Sequence, residues 1–258
     1  MLLENKTAVI YGAGGPIGSA VARAFAREGA KVFLAGRTLP KLDKVAQEIF
    51  DTAGVAEMAQ VDAFDEQSVE KHADAVVAKA GGIDVSFNAI GIHGTIQGTP
   101  LIEQSQDDIS LPVKDRVATN FLTARTAARH MVDKGAGVIL MFTATPARMA
   151  FPLTGSFGVE GAAIEGLCRS LASELGPLGV RVICLRSAGS PESFRERPSS
   201  AAPGAMRERL TALIAEGTLL KRPPSLAEVG NMAVLMASDY ASPMTGTVAN
   251  MTCGAIVD

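Results

Sequence analysis

The stretch Thr7-Ala8-Val9-Ile10-Tyr11-Gly12-Ala13-Gly14-Gly15-Pro16-Ile17-Gly18 decides the fold. Its first five residues read as a buried strand, and residues 19–28 carry apolar side chains at helical spacing, closed by Gly29. Between them lies a glycine-rich turn. A helix N-terminus has unpaired amides, and glycine has no Cβ to hold a ligand away from them. Such a turn, opening the first strand–helix unit of an alternating chain, suits the pyrophosphate of a dinucleotide. A tight turn that binds nothing is the other reading. Pro16 removes one N–H but is tolerated in a first helical turn, which leaves Gly12, Gly15 and Ile17 for phosphate contacts.

The pattern repeats outward from there. Apolar runs at 31–35, 55–61, 83–87, 138–142, 180–185 and 246–251 alternate with helical segments at 39–50, 66–79, 113–134, 156–175 and 226–238. The strand-like runs lack polar alternation, so both faces of their sheet must be covered. The expected fold is therefore α/β: a Rossmann-type doubly wound parallel sheet of about seven strands, flanked by helices and forming one domain over 1–258. Residues 187–224, rich in Ser, Pro and Gly with a short helix near 205–216, read as a mobile flap over a site or as a linker.

Composition narrows the function classes. Of 258 residues, 47% are hydrophobic and 20% charged, which suits a buried core rather than a disordered chain. A net charge of −3 offers no electrostatic footprint for nucleic acid. No apolar run approaches the ~18 residues of a membrane span, and no leader pattern opens the sequence, so a cytoplasmic location is expected. Cys168, Cys184 and Cys253 fit neither a disulfide framework nor a zinc site and read as reduced thiols; no metal is expected.

About twenty residues beyond the turn, a dinucleotide fold places the group that reads the adenosine ribose. Here the second strand ends Ala35-Gly36-Arg37-Thr38, with no carboxylate for a free 2′-hydroxyl and an arginine suited to a 2′-phosphate. NADP(H) is thus expected in preference to NAD(H). A solvated charge at a strand end is the alternative for Arg37.

With these residues in hand, the chain resembles the short-chain dehydrogenase/reductase family from end to end. Tyr11 to Gly18 is similar to its Thr-Gly-x-x-x-Gly-x-Gly turn, with Pro16 at the middle glycine. Val61-Asp62-Ala63 resembles the segment that meets the adenine, and Phe87-Asn88-Ala89-Ile90-Gly91 the Asn-Asn-Ala-Gly segment after the fourth strand. Thr119-Asn120-Phe121 matches the helix asparagine that orders a proton-relay water. The resemblance thus implies Asp62, Ala63, Asn88 and Ala89 as cofactor-binding, Asn120 as catalytic, and a homo-oligomer, either dimer or tetramer, built through two long helices.

In that family a serine and a tyrosine hold the substrate oxygen, and a lysine lowers the tyrosine's pKa for proton exchange. In this sequence the three positions fall on Ala144, Phe157 and Gly161. The wider Tyr-x6-Lys spacing of enoyl-acyl carrier protein reductases does not restore the lysine, because Ile164 stands there. Loss of a general acid removes roughly 10²–10⁴-fold in rate.

Replacement groups are few. Thr143 and Thr145 flank the serine position, as hydrogen-bond donors or strand-end caps. His93, after the fourth strand, is a candidate proton donor, or else a loop histidine. Arg148 and Arg186 suit an anionic substrate or surface ion pairs, and Glu160 is read as lying along a helix interface. Two functions follow: an NADP(H)-dependent oxidoreductase that transfers hydride to a small carbonyl or enone without the tyrosine acid, or a redox-silent protein on the same scaffold.

Overall fold

The structure, a computed structural model, describes residues 1–91, 96–194 and 205–257. Seven parallel strands form one sheet: β1 (Thr7–Tyr11), β2 (Lys31–Gly36), β3 (Val55–Gln60), β4 (Val85–Asn88), β5 (Gly137–Ala144), β6 (Val180–Ser187) and β7 (Thr247–Met251). Their spatial order is β3-β2-β1-β4-β5-β6-β7. The connecting helices are α1 (Pro16–Arg27), α2 (Leu39–Phe50), α3 (Glu66–Ala80), α4 (Gln106–Lys134), α5 (Phe157–Leu175), α6 (Ala205–Glu216) and α7 (Leu226–Ala237). This is the doubly wound architecture expected from the alternating runs.

An apolar strand serves two cores because its side chains alternate between faces. Ala8 and Ile10 of β1 face α1, α2 and α7, where Phe25, Leu42, Ile49 and Val229 are buried. Val9 and Tyr11 face α3, α4 and α5, against Val69, Val76, Met131 and Ile164. Strand order reverses between β1 and its neighbour β4, since the chain first winds outward through β2 and β3. Helices on opposite faces therefore diverge above the C-terminal ends of β1 and β4, leaving a crevice.

Local rules account for the element ends, including one that the sequence reading misses. α4 starts at Gln106, well before the expected 113, and runs through Pro112. A reciprocal cap fixes this start: Asp108 donates its N–H to Ser105 Oγ (3.2 Å), while the Asp108 carboxylate accepts the Ser105 N–H (2.8 Å). With the first turn secured, a proline seven residues in is carried inside the helix, where its ring is buried.

Residues 195–204 of the expected flap lie outside the described residues, and its C-terminal part forms α6 and a turn closed by Thr218 Oγ1 on the Arg222 N–H (3.1 Å). Cys168 and Cys184 are free and buried, and Cys253 is free and half-buried. Among the described residues, no helix is long and apolar enough to cross a membrane.

One buried group couples this core to pH. His72 on α3 lies edge-on to the Tyr11 ring (centroids 6.0 Å apart), and its Nδ1 has no partner among the described residues. Desolvation lowers its pKa from 6.5 to about 4. The unfolded chain therefore takes up a proton below pH 6.5 that the folded chain refuses until about 4. Stability is full above pH 6.5 and falls as the pH drops toward about 4, by at most about 3 kcal/mol from this residue. Urea titrations between pH 7 and pH 4.5 should show that slope, and His72→Phe should flatten it; an unchanged slope would assign the acid sensitivity to other groups.

Candidate active site

Two adjoining hollows occupy the crevice. The larger, about 410 Å³, is lined by Tyr11, Gly12, Gly14, Gly15 and Pro16 of the first turn, by Gly36, Arg37, Thr38 and Lys41 at the end of β2, and by Val61 to Phe64 after β3. The smaller, about 180 Å³, is lined by Ile17, Arg116, Phe142, Thr143, Ala144, Phe157, Glu160 and Gly161. They share Ala89, Ile90 and Gly91, the segment after β4. A cavity of about 390 Å³ opens at the opposite, N-terminal ends of the strands. Two of its charged side chains serve the fold: Asp84 accepts from Thr7 N–H and Lys134, and Arg181 caps main-chain carbonyls after α7.

The first turn is built by close backbone contacts. Gly12 sits at φ +76°, and a Cβ there would meet the Ala89 carbonyl oxygen at 2.8 Å. A Cβ on Gly18 would stand 2.4 Å from the Gly12 oxygen, so α1 approaches β1 only because residue 18 has none. The amides divide differently from the sequence reading. Gly12 donates its N–H to Ala35 O (2.9 Å) and Gly15 to Gly12 O (3.0 Å), so both are spent in shaping the turn. They line the cleft through their missing side chains, whereas Ile17, in the first turn of α1, keeps an amide outside the helix's own bonding.

The remaining expected residues fall into two groups. Arg37 and Asp62 are exposed on the cleft wall, and Ala63 and Ala89 line it beside them. One Asp62 carboxylate oxygen accepts the Phe64 N–H (3.1 Å) and sets the turn after β3. Asn88 is different. Its amide donates to Thr119 O and Thr123 Oγ1, and its oxygen accepts the Ile90 N–H, so its side chain ties β4 to α4. Lys41, which the sequence reading overlooked, joins Arg37 on the wall; its Cβ is the atom that a Cβ on Gly14 would strike, at 2.9 Å. Its position one turn into α2 was the available signal.

At the smaller hollow, Ala144, Phe157 and Gly161 lie together on one wall. Gly158 and Gly161 of α5 press onto the turn Thr145–Ala147: added Cβ atoms would meet Pro146 O and Ala147 Cβ, each at 2.8 Å. These two small residues thus serve packing within the subunit. Asn120 is buried beneath; its amide donates to Arg116 O (2.9 Å), and its oxygen is an orphaned acceptor among the described residues. An acceptor in that state is suited to an ordered water.

Of the replacement candidates, His93 lies outside the described residues. Arg148 is exposed. Arg186 is buried and forked onto Glu165 with two bonds of 2.7 Å. Thr143 donates to the same carboxylate (3.1 Å), which engages its hydroxyl. Glu160, expected along a helix interface, is buried on the pocket wall and accepts from Ser156 Oγ (2.7 Å). Arg116 also lines the pocket, and nothing in its sequence surroundings marked it.

Residues 12–255 match the family model described as enoyl-(acyl carrier protein) reductase. The chain belongs to the short-chain dehydrogenase/reductase family. Short chain aldehyde dehydrogenase 1 of Euphorbia lathyris is 29% identical over 248 residues, covering 95% of this chain and 85% of that protein. Tropinone reductase-like 1 of Erythroxylum coca is 31% identical over 248 residues, covering 95% and 88%. A short-chain type dehydrogenase/reductase from Mycobacterium ulcerans superposes with a TM-score of 0.87 at 27% identity, over 99% of this chain and 91% of that one.

Short-chain dehydrogenases/reductases bind a nicotinamide dinucleotide, and the cleft fits one. Its floor is the glycine turn, where Cβ atoms on Gly12 and Gly14 would strike the Ala89 carbonyl and Lys41, and it adjoins the pocket of Phe157 through Ala89, Ile90 and Gly91.

The tight contact at Gly161 is directly testable. Gly161→Ala should cost about 1–3 kcal/mol in stability through overpacking against Ala147, and adding Ala147→Gly should restore most of it. Denaturant titration of the two variants decides; an undisturbed Gly161→Ala protein contradicts the packing described. A lysine at 161 would need the same relief.

Proposed function

We propose that the protein is an NADP(H)-dependent oxidoreductase that transfers hydride to a small carbonyl or enone-type substrate without a tyrosine acid. The observation that carries this reading is the adjacency of two hollows: the glycine-turn cleft with Arg37 and Lys41 on its wall, and the pocket beside Phe157, which share Ala89, Ile90 and Gly91. Two cations and no carboxylate line the β2 end of the cleft, at the start of α2, where the helix dipole adds positive potential. That field suits a 2′-phosphate and offers a bare ribose hydroxyl no carboxylate.

The chain's own residues divide the work. Ile17 and the turn around it hold the pyrophosphate, and Asp62 and Ala63 border the adenine end. When bound, the dinucleotide supplies or accepts the hydride. Phe157 keeps an aromatic ring on the pocket wall but has no proton to give, and Gly161 brings no cation. A polarised C=C bond needs less proton assistance at the moment of hydride arrival than an isolated ketone does, so enones are favoured over ketones. Asn120 holds a water below the pocket, and His93 is proposed as a proton source for the product carbon.

Residues 187–224 act as a flap over this pocket in the same reading. The protein is proposed to be cytoplasmic and to assemble as a homo-oligomer, dimer or tetramer, through α4 and α5, whose Leu111, Phe121 and Val159 are exposed apolar side chains.

A redox-silent role on this scaffold is the second reading. What favours it is that Ala144, Phe157 and Gly161 together leave the pocket wall without a hydroxyl or an amine at those three places. Stopped-flow and steady-state oxidation of NADPH across a panel of enones and ketones separates the two. Turnover with enones and little or none with ketones is the expected result, and tight NADPH binding with no turnover on any member would favour the second. Arg37→Ala and Lys41→Ala should each weaken NADPH about tenfold or more while leaving NADH nearly unchanged, as loss of a charge-assisted bond requires.

A further inference from the structure

The pocket beside Phe157 is apolar apart from a few groups on one side. Ile17, Ala89, Phe142, Ala144 and Phe157 wall it, and Arg116 and Glu160 bring charge to it. Arg116 reaches the pocket from α4, one turn before Asn120. Its Nη1 donates to the Ile90 carbonyl and its Nη2 to the Phe142 carbonyl (2.9 Å). The guanidinium is thus strapped between the chain leaving β4 and the end of β5. Carbonyls orient a guanidinium without cancelling its charge, and these two bonds use two of its five donors. Burial pulls the arginine below its ordinary pKa, and the Glu160 carboxylate opposes that pull, so the cation is retained in a desolvated place.

A fixed, desolvated cation with donors to spare, at the edge of an apolar pocket, favours an oxygen that carries negative charge. The neighbouring Glu160 carboxylate limits what that oxygen can belong to. A carboxylate or phosphate would set a compact anion beside it, whereas an oxygen whose charge spreads into a C=C bond or a ring meets less repulsion.

Building on the dinucleotide reading of the adjoining cleft, we propose that Arg116 is the oxyanion-binding group of this pocket. Its ligand class is a flat, apolar molecule bearing one delocalised anionic oxygen: an enolate, or its stable aromatic counterpart, a phenolate. Arg116 then fills the role left open at Ala144 and Phe157, from a different element and by a different donor.

The probe is 4-nitrophenol, whose phenolate absorbs visibly, titrated into the protein with and without saturating NADP⁺. Ionised probe should accumulate on the protein at pH values where it is largely neutral in solution. Arg116→Met should weaken phenolate binding about tenfold or more, and Arg116→Lys should keep part of it with NADP⁺ affinity unchanged. Should Arg116→Met fail to fold because Ile90 and Phe142 lose their donor, Glu160→Gln decides. It keeps an acceptor for Ser156 and removes the opposing charge, so phenolate should bind several-fold tighter. A probe that titrates on the protein as it does in solution overturns the proposal, as does Glu160→Gln weakening it or Arg116→Met leaving it unaltered. Calorimetry with NADP⁺ alone, run first, reports separately on the cofactor reading. Flat calorimetry with a shifted probe would sink that reading and leave Arg116 standing.

Discussion

Everything at the functional end of this molecule depends on how closely α1 can approach β1. The contact is main chain against main chain: the Gly12 oxygen lies where a Cβ of residue 18 would be, and Gly12 itself tucks under the Ala89 carbonyl at positive φ. With side chains at those two places the helix would stand off the strand. Its first-turn amides would no longer point over the sheet, and the segment 89–91 would lose the neighbour that positions it. The large cleft and the small pocket share that segment, so one packing constraint sets both.

The pocket wall is set by close packing. The turn Thr145–Ala147 lies tight against α5 at Gly158 and Gly161, where neither residue has a Cβ to hold it away. Below, Glu165 is neutralised by the forked Arg186 and by Thr143, a buried arrangement in which every strong charge has its partner. Arg116 is held differently, by carbonyls, and this leaves its charge expressed toward the pocket.

Much of this was legible in the sequence because it is governed by local periodicity. Strands such as Val9-Ile10-Tyr11 must be buried on both faces, and that alone demands helices above and below. The cleft wall was legible for the same reason: Arg37 stands at a strand end and Asp62 follows the next one, so the topology delivers both to one side. What was hidden depends on side-chain direction. The side chain of Asn88, expected at the cofactor, also ties β4 to α4, and no motif announces that bond. Glu160 and Arg116 sit on helices whose rotation about their axes no motif reports. The helix expected from 113 begins at Gln106, and the Ser105–Asp108 cap explains the earlier start.

Hydrogen–deuterium exchange with and without NADP⁺ tests the central claim most directly, since it reports both whether the dinucleotide binds and where. Amides of Ile17 and Gly18 and the segments 36–41 and 89–91 should slow markedly when the dinucleotide is added. Unchanged exchange there, or protection appearing instead around Asp84, Gly137 and Gly179 at the opposite end of the strands, would contradict the account.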